Sequence, residues 1–192
     1  MTYLQHIHTV ADEIDESNRE LKLYMNVDGN QFSRWRTVVF THPSTFETIA
    51  MESDLKHKLK SDLESFLKAK QYYHRLGRVW KRSYLLFGPS GTGKSSFVAN
   101  FLGYDVYDLD LTKVADYSDL KFLLLQTTSK SVIVIEEFDR ILVEKSTAVA
   151  VPGVLKFMDG ILSSCSADER MMIFAMNSKT GFFFDFWLVG ST

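Results

Sequence analysis

The run Ser83-Tyr84-Leu85-Leu86-Phe87-Gly88-Pro89-Ser90-Gly91-Thr92-Gly93-Lys94-Ser95-Ser96 reads as a short apolar strand, a glycine-rich loop and the opening of a helix. Gly88, Gly93, Lys94 and Ser95 fall at the spacing G-x-x-x-x-G-K-[ST], the phosphate-binding loop of nucleoside triphosphatases. Glycine at 88, 91 and 93 lets the backbone take positive φ and curl its N–H groups around a phosphate. A helix beginning near Lys94 adds its positive dipole end and unpaired N–H groups. Lys94 can then reach the β- and γ-phosphates, and the Ser95 hydroxyl can ligate Mg²⁺. At ordinary residue frequencies a chance match in a chain this long falls below about one in a hundred. A plain glycine turn would leave Lys94 and Ser95 unexplained at that offset. The segment Gly88, Pro89, Ser90, Gly91, Thr92, Gly93, Lys94 and Ser95 is therefore read as a nucleotide cradle.

Such a loop belongs in a parallel sheet, and the flanking sequence predicts one. After a helix to about Leu102, Asp105 to Leu109 reads as a strand, and Ser118 is the expected cap of a helix carrying Leu120, Leu123 and Leu124. Ser131 to Ile135 is a third strand, its consecutive Val and Ile fitting a strand covered on both faces. Pro152 opens a helix with Leu155, Met158, Ile161 and Leu162, and Met171 to Ala175 is a fourth strand. Alternating strands and helices imply an α/β fold with a parallel sheet and right-handed crossovers.

Binding a phosphate is half of the chemistry; hydrolysis also needs a held Mg²⁺ and an activated water. Glu136 and Glu137 follow the strand Val132-Ile133-Val134-Ile135, at the edge of a parallel sheet where ligands sit. Glu136 is the candidate Mg²⁺ carboxylate with Ser95, and Glu137 the candidate base that polarises the attacking water. Two solvated acids at a strand end are common, but less so downstream of such a loop. Asn177 ends the next strand, where its amide could orient the water or sense the γ-phosphate; alone, an Asn there is usually a turn former.

Upstream, Leu4, Ile7, Val10, Ala11 and Ile14 mark an amphipathic helix from Tyr3 to Asn18, on which His6 and His8 read as surface residues. Leu21 to Val27 and Trp35 to Phe40 read as a hairpin in a small accessory piece, residues 1–45. His42-Pro43-Ser44 breaks the second strand. A helix with Leu55, Leu59, Leu63, Phe66 and Leu67 comes next, running to Leu76 with Gly77 as its stop. From Lys68 to Arg82 every charge is basic; a solvated helix face is preferred to a positive rim that attracts polyphosphate.

Composition closes off other classes. A formal net charge of −2 argues against a protein built to grip nucleic acid. The lone Cys165 excludes an internal disulfide framework. No apolar run approaches the roughly 18 residues of a membrane helix, and the N-terminus has no signal or transit pattern.

With these residues assembled, the chain resembles a family. Tyr84–Ser96, Tyr107-Asp108-Leu109-Asp110-Leu111, Ile133–Asp139 and Phe157-Met158-Asp159-Gly160 look like the plant AAA-ATPases, a group similar to the mitochondrial AAA chaperone that helps mature a respiratory cytochrome complex. His42-Pro43-Ser44-Thr45-Phe46 and Trp80-Lys81-Arg82 resemble that branch in particular. The resemblance runs from Tyr3 to Lys179. It implies a P-loop NTPase (AAA) core over residues 46–179, using ATP and Mg²⁺, in a homo- or hetero-oligomeric ring that remodels proteins. It also implies that Lys94 and Ser95 form the first Walker motif, Glu136 and Glu137 the second, and Asn177 the sensor. Members are usually anchored by an N-terminal membrane segment, in mitochondria or the endoplasmic reticulum.

Departures from the family pattern shape the expectation. Both acids of the second Walker motif are Glu, and the helix after Lys94 is about one turn short. No arginine follows Arg170, so the fingers that act on a neighbour's γ-phosphate are expected to be missing, together with the C-terminal helical lid and the anchor. Residues 180–192 form a divergent aromatic tail, read as a splice or gene-model remnant in preference to an edge strand or an aggregation-prone end. The leading expectation is an AAA-type ATPase truncated at both ends. The alternative is a weakly active or inactive nucleotide-binding subunit that modulates full-length rings.

Overall fold

The computed structural model describes residues 19–28, 34–77, 80–89, 91–143 and 169–177. The expected helices of residues 3–18 and 152–162, the tail and Ser90 lie outside them. Six strands form one sheet: β1 (Lys22–Asn26), β2 (Trp35–Val39), β3 (Lys81–Phe87), β4 (Asp105–Asp108), β5 (Ser131–Ile135) and β6 (Arg170–Met176). Their order is β2-β1-β4-β5-β6-β3. Every pairing is parallel except the antiparallel β1–β2 hairpin. The sheet is thus mostly parallel, as the alternation of strands and helices predicts.

Five α-helices are described: α1 (Ser53–Lys68), α2 (Lys70–Arg75), α3 (Ser96–Leu102), α4 (Tyr117–Leu125) and α5 (Phe138–Val143). Their apolar residues fall into two clusters. Leu59, Leu63 and Phe66 of α1 pack with Phe97, Val98 and Leu102 of α3 against Val132, Val134, Met171 and Ile173. Leu120, Leu123 and Leu124 of α4 and Ile141 of α5 pack against Ile133, Ile135, Met172 and Phe174. Alternate residues of β5 and β6 thus serve opposite layers, which is why both strands are apolar at every core position.

The local signals are mostly those expected, with one correction. Gly103 ends α3 in the left-handed conformation at φ +66°, its N–H donating to the Ala99 carbonyl. Ser118 is not the cap of α4: it lies inside the helix, and Asp116 caps it by accepting the Asp119 N–H at 2.8 Å. The backbone at Asp116 is extended, as a cap requires. Lys68, Lys70 and Arg75 of the basic run are exposed, in keeping with a solvated helix face. Arg82 pairs with Asp62 of α1, which also accepts from the buried Tyr84 hydroxyl, and the Lys70 ammonium lies 5.5 Å from the Trp80 ring centroid.

The hairpin does not stand beside the sheet; it extends it. A two-stranded ribbon alone is marginal in water, and β1 resolves this by pairing in parallel with β4 from Leu23↔Val106 to Met25↔Asp108. Tyr24 stacks on Tyr107 at 4.3 Å, and Trp35 meets the same ring edge-on at 5.0 Å. The Arg34 guanidinium grips Asp119 through both terminal nitrogens, at 2.9 and 3.1 Å, and donates to the Lys113 carbonyl at 2.9 Å. Asn26, 1% exposed, exchanges two hydrogen bonds with the Asp110 backbone at 2.8 and 2.9 Å. Its side chain continues the ladder where the strand stops.

Phe97, fully buried in α3, packs edge-to-face on Phe46 at 4.9 Å. Phe97→Ala is expected to cost about 3–5 kcal/mol through cavity formation, read as a lowered urea midpoint with unchanged slope.

Candidate active site

Strand order determines which loops meet. β6 lies between β5 and β3, so the carboxyl ends of these three strands are neighbours. The turn after β3, Glu136 after β5 and Asn177 after β6 therefore open into one cleft. Its walls include Gly91, Thr92, Gly93, Lys94, Ser95, Glu136, Glu137 and Asn177, with a volume of about 300 Å³. Gly88 and Pro89 form the base of the turn and do not line the cleft.

The turn is tied down at both ends. The Gly88 N–H donates to the Met176 carbonyl at 3.1 Å, beside Asn177. The Lys94 ammonium bridges the Gly88 and Pro89 carbonyls at 2.7 and 2.6 Å, and the Thr92 hydroxyl donates to Pro89 at 2.9 Å. Gly91 and Gly93 hold φ of +75° and +76°. At Gly93 space is short as well, because an added Cβ would overlap the Ser44 side chain. α3 begins only at Ser96, two residues later than the motif suggests, with the Phe97 N–H donating to the Gly93 carbonyl.

The charges are arranged around Lys94. Burial pulls its ammonium below the ordinary lysine range, while the negative charges of Glu136 and Asp139 pull it back. The Ser95 hydroxyl, nearly buried, donates to Glu136 Oε1 at 3.4 Å. These two hard oxygen donors fit Mg²⁺, which takes one or two protein oxygens and completes its shell from phosphate and water. Among the described residues no group of three His, Cys, Asp or Glu could cage a metal, and Mg²⁺ needs none.

Glu137 holds φ of +50°, an uncommon region for a side chain with a Cβ. That kink ends β5 and starts the turn into α5, with the Arg140 and Ile141 N–H groups both donating to the Glu137 carbonyl. The Glu137 carboxylate pairs with Arg140 at 3.1 Å, both largely exposed.

Three residues in or beside this site escaped the sequence reading. Asp139 accepts the Asn177 N–H at 3.2 Å, joining the β5 and β6 ends. Its place three residues after Glu136 was the available signal. His42 lines the cleft with the phosphate loop. Asp108, ending β4, lines a second cleft of about 330 Å³ with Asp110, Arg140 and both glutamates, so Glu136 and Glu137 border both clefts.

The Asp108 carboxyl is pushed up to about 6, first by burial and then by the negative charges of Glu136 and Asp110, with Lys113 opposing. Because its folded value exceeds the unfolded one, the proton favours the fold. This contribution is complete below the ordinary carboxylate value of about 4 and is lost as pH rises through about 6. In metal-free protein, Asp108→Asn is expected to gain up to about 3 kcal/mol over the parent as pH goes from about 4 to about 8, read from paired urea melts. Gly93→Ala is expected to abolish nucleotide binding in a titration, since both its backbone conformation and Ser44 exclude a methyl group.

Comparison with known proteins identifies the family. The profile of the ATPase family associated with various cellular activities (AAA) matches residues 84–182. The Arabidopsis thaliana AAA-ATPase At2g46620 is 66% identical over 93% of this chain and 38% of its own length. At3g28580 from the same plant is 41% identical over 91% of this chain and 42% of its own. A third relative, AAA-ATPase ASD, mitochondrial, is 39% identical over 91% and 41%. The chain thus spans about two-fifths of the length of these relatives. A solved mutant of Thermotoga maritima RuvB aligns with TM-score 0.49 and 19% identity, over 71% of this chain and 42% of that one. No helix among the described residues is long and apolar enough to cross a membrane. With the AAA profile matched over residues 84–182 and a relative 66% identical over 93% of this chain, the chain belongs to the AAA family.

Proposed function

We propose that this chain binds Mg-ATP and hydrolyses it, as one module of a protein-remodelling ring. The observation that carries the reading is the Ser95 hydroxyl donating to Glu136 in the cleft that Lys94 and Asn177 also line. A glycine-rich turn, a pair of hard oxygen donors and a second carboxylate meeting in one cleft support that reading.

The parts divide the work. Backbone N–H groups of Gly91–Ser95 cradle the phosphates, and Lys94 leaves its loop carbonyls for the β- and γ-phosphates. Ser95 and Glu136 would hold Mg²⁺, which would supply positive charge against that developing on the phosphates. Glu137 takes the proton of the attacking water; to do so it exchanges Arg140 for that water, at little cost because an exposed ion pair is worth under about 1 kcal/mol. Asn177 orients the same water, and Asp139 holds the Asn177 backbone in place. Ring assembly is the family's usual state and would supply in trans the cations that phosphoryl transfer uses.

The test combines Mg-ATP binding with turnover, alone and mixed with a full-length relative. Lys94→Ala is expected to lose binding. Glu137→Gln is expected to retain ATP with turnover lowered at least about 100-fold, the share of a positioned general base. Unchanged turnover in Glu137→Gln would refute its role, and binding that survives Lys94→Ala would refute the site.

A further inference from the structure

The segment before α1 forms a wall of the cleft, and the phosphate-loop motif gives no role to it. After β2 the chain turns at Phe40 and His42, whose rings lie 6.3 Å apart and nearly parallel. One side chain of α3 holds this turn in place: Asn100 Nδ2 donates to the His42 carbonyl at 2.6 Å and to the Ser44 carbonyl at 2.7 Å. Ser44 then lies directly against Gly93, and the His42 imidazole Cε1 comes within 3.9 Å of where a Gly93 Cβ would stand. The imidazole is oriented too. The Ser44 N–H donates to His42 Nδ1 at 3.1 Å, so Nδ1 is an acceptor and the ring proton resides on Nε2.

The cleft also has a direction. The phosphate loop starts against β6, where Gly88 bonds Met176 beside Asn177, and its later residue Gly93 lies against Ser44 and His42. With the γ-phosphate at Glu137 and Asn177, as the proposed function requires, the remainder of the nucleotide extends towards His42. We propose that His42 is a nucleotide-binding residue, its Nε2–H donating to a ribose oxygen of the bound nucleotide. Lys94 and the loop read polyphosphate; His42 distinguishes a nucleotide from polyphosphate alone. The inference rests on the ATP-site reading, and its test separates the two.

The experiment is displacement of a fluorescent ATP analogue from the full chain by ATP, ADP and inorganic tripolyphosphate. In His42→Asn the amide oxygen can still accept from Ser44, but the distal donor is gone. ATP and ADP are expected to weaken by about tenfold, the worth of one hydrogen bond to a polar ligand group, with tripolyphosphate unchanged. His42→Gln returns an N–H near the Nε2 position and is expected to recover most of the loss. Unchanged ATP affinity in His42→Asn would overturn the proposal. An equal loss for tripolyphosphate would overturn it as well, because His42 would then only shape the loop. Lys94→Ala is expected to lose all three ligands; if it keeps them, the ATP site itself is wrong and this inference falls with it.

Discussion

Parallel pairing of β6 with strands on both sides makes one site out of three separate loops. β6 is in register with β3 from Lys81↔Arg170 to Phe87↔Met176, and with β5 from Ser131↔Arg170 to Ile135↔Phe174. All seven of its residues are buried, so a slip of one residue would turn Met171 and Ile173 from one apolar layer into the other. Register is thereby fixed by the core. Once it is fixed, the Gly88 turn, Glu136 and Asn177 have no freedom to separate. The cleft is a product of packing far more than of local loop preference.

The chemistry is set in backbone that the core holds away from its easiest shapes. Glu137 has positive φ without being glycine, and Gly93 is shaped both by its own φ and by the Ser44 side chain. Such conformations persist where surrounding structure over-determines them. Here the surroundings are the buried face of α3, gripped by Phe46, and the Asn100 bonds to the His42–Ser44 segment. Behind β3, Asp62 gathers Arg82 and Tyr84 on the layer that supports the loop strand. Burial and the nearby Asp62 carboxylate raise the Tyr84 phenol above its ordinary range, so it remains a donor in that contact.

Much of this was legible in the sequence because it is local. The glycines and Lys94 carry their own geometry, the Val–Ile run of β5 announces coverage on two faces, and Gly77 and Gly103 end helices where expected. What escaped depends on contacts between distant residues. Nothing in Lys22–Asn26 announces pairing with Asp105–Asp108, because the aromatic stack of Tyr24 on Tyr107 spans the chain. Asp116 and Ser118 are both acceptable caps by type, and only backbone conformation chose between them. His42 resembled a strand breaker; its place beside Gly93 comes from the way β2 returns the chain to α3. Asp139 was in plain sight next to the glutamates, but its partner Asn177 lies on another strand.

The position of β3 at the end of the strand order bears on how the chain is made. Among the described residues its sole neighbour in the sheet is β6, and the register joins Lys81 to Arg170. During synthesis the strand that carries the phosphate loop leaves the ribosome long before its partner exists. Until Met176 has emerged, β3 offers unpaired backbone on both sides, the condition in which strands find wrong partners. Closing so long an interval is slow compared with forming the helices within it. Nucleotide competence therefore comes late, and a nascent chain halted before β6 holds the complete binding motif on a strand with no partner to shape it.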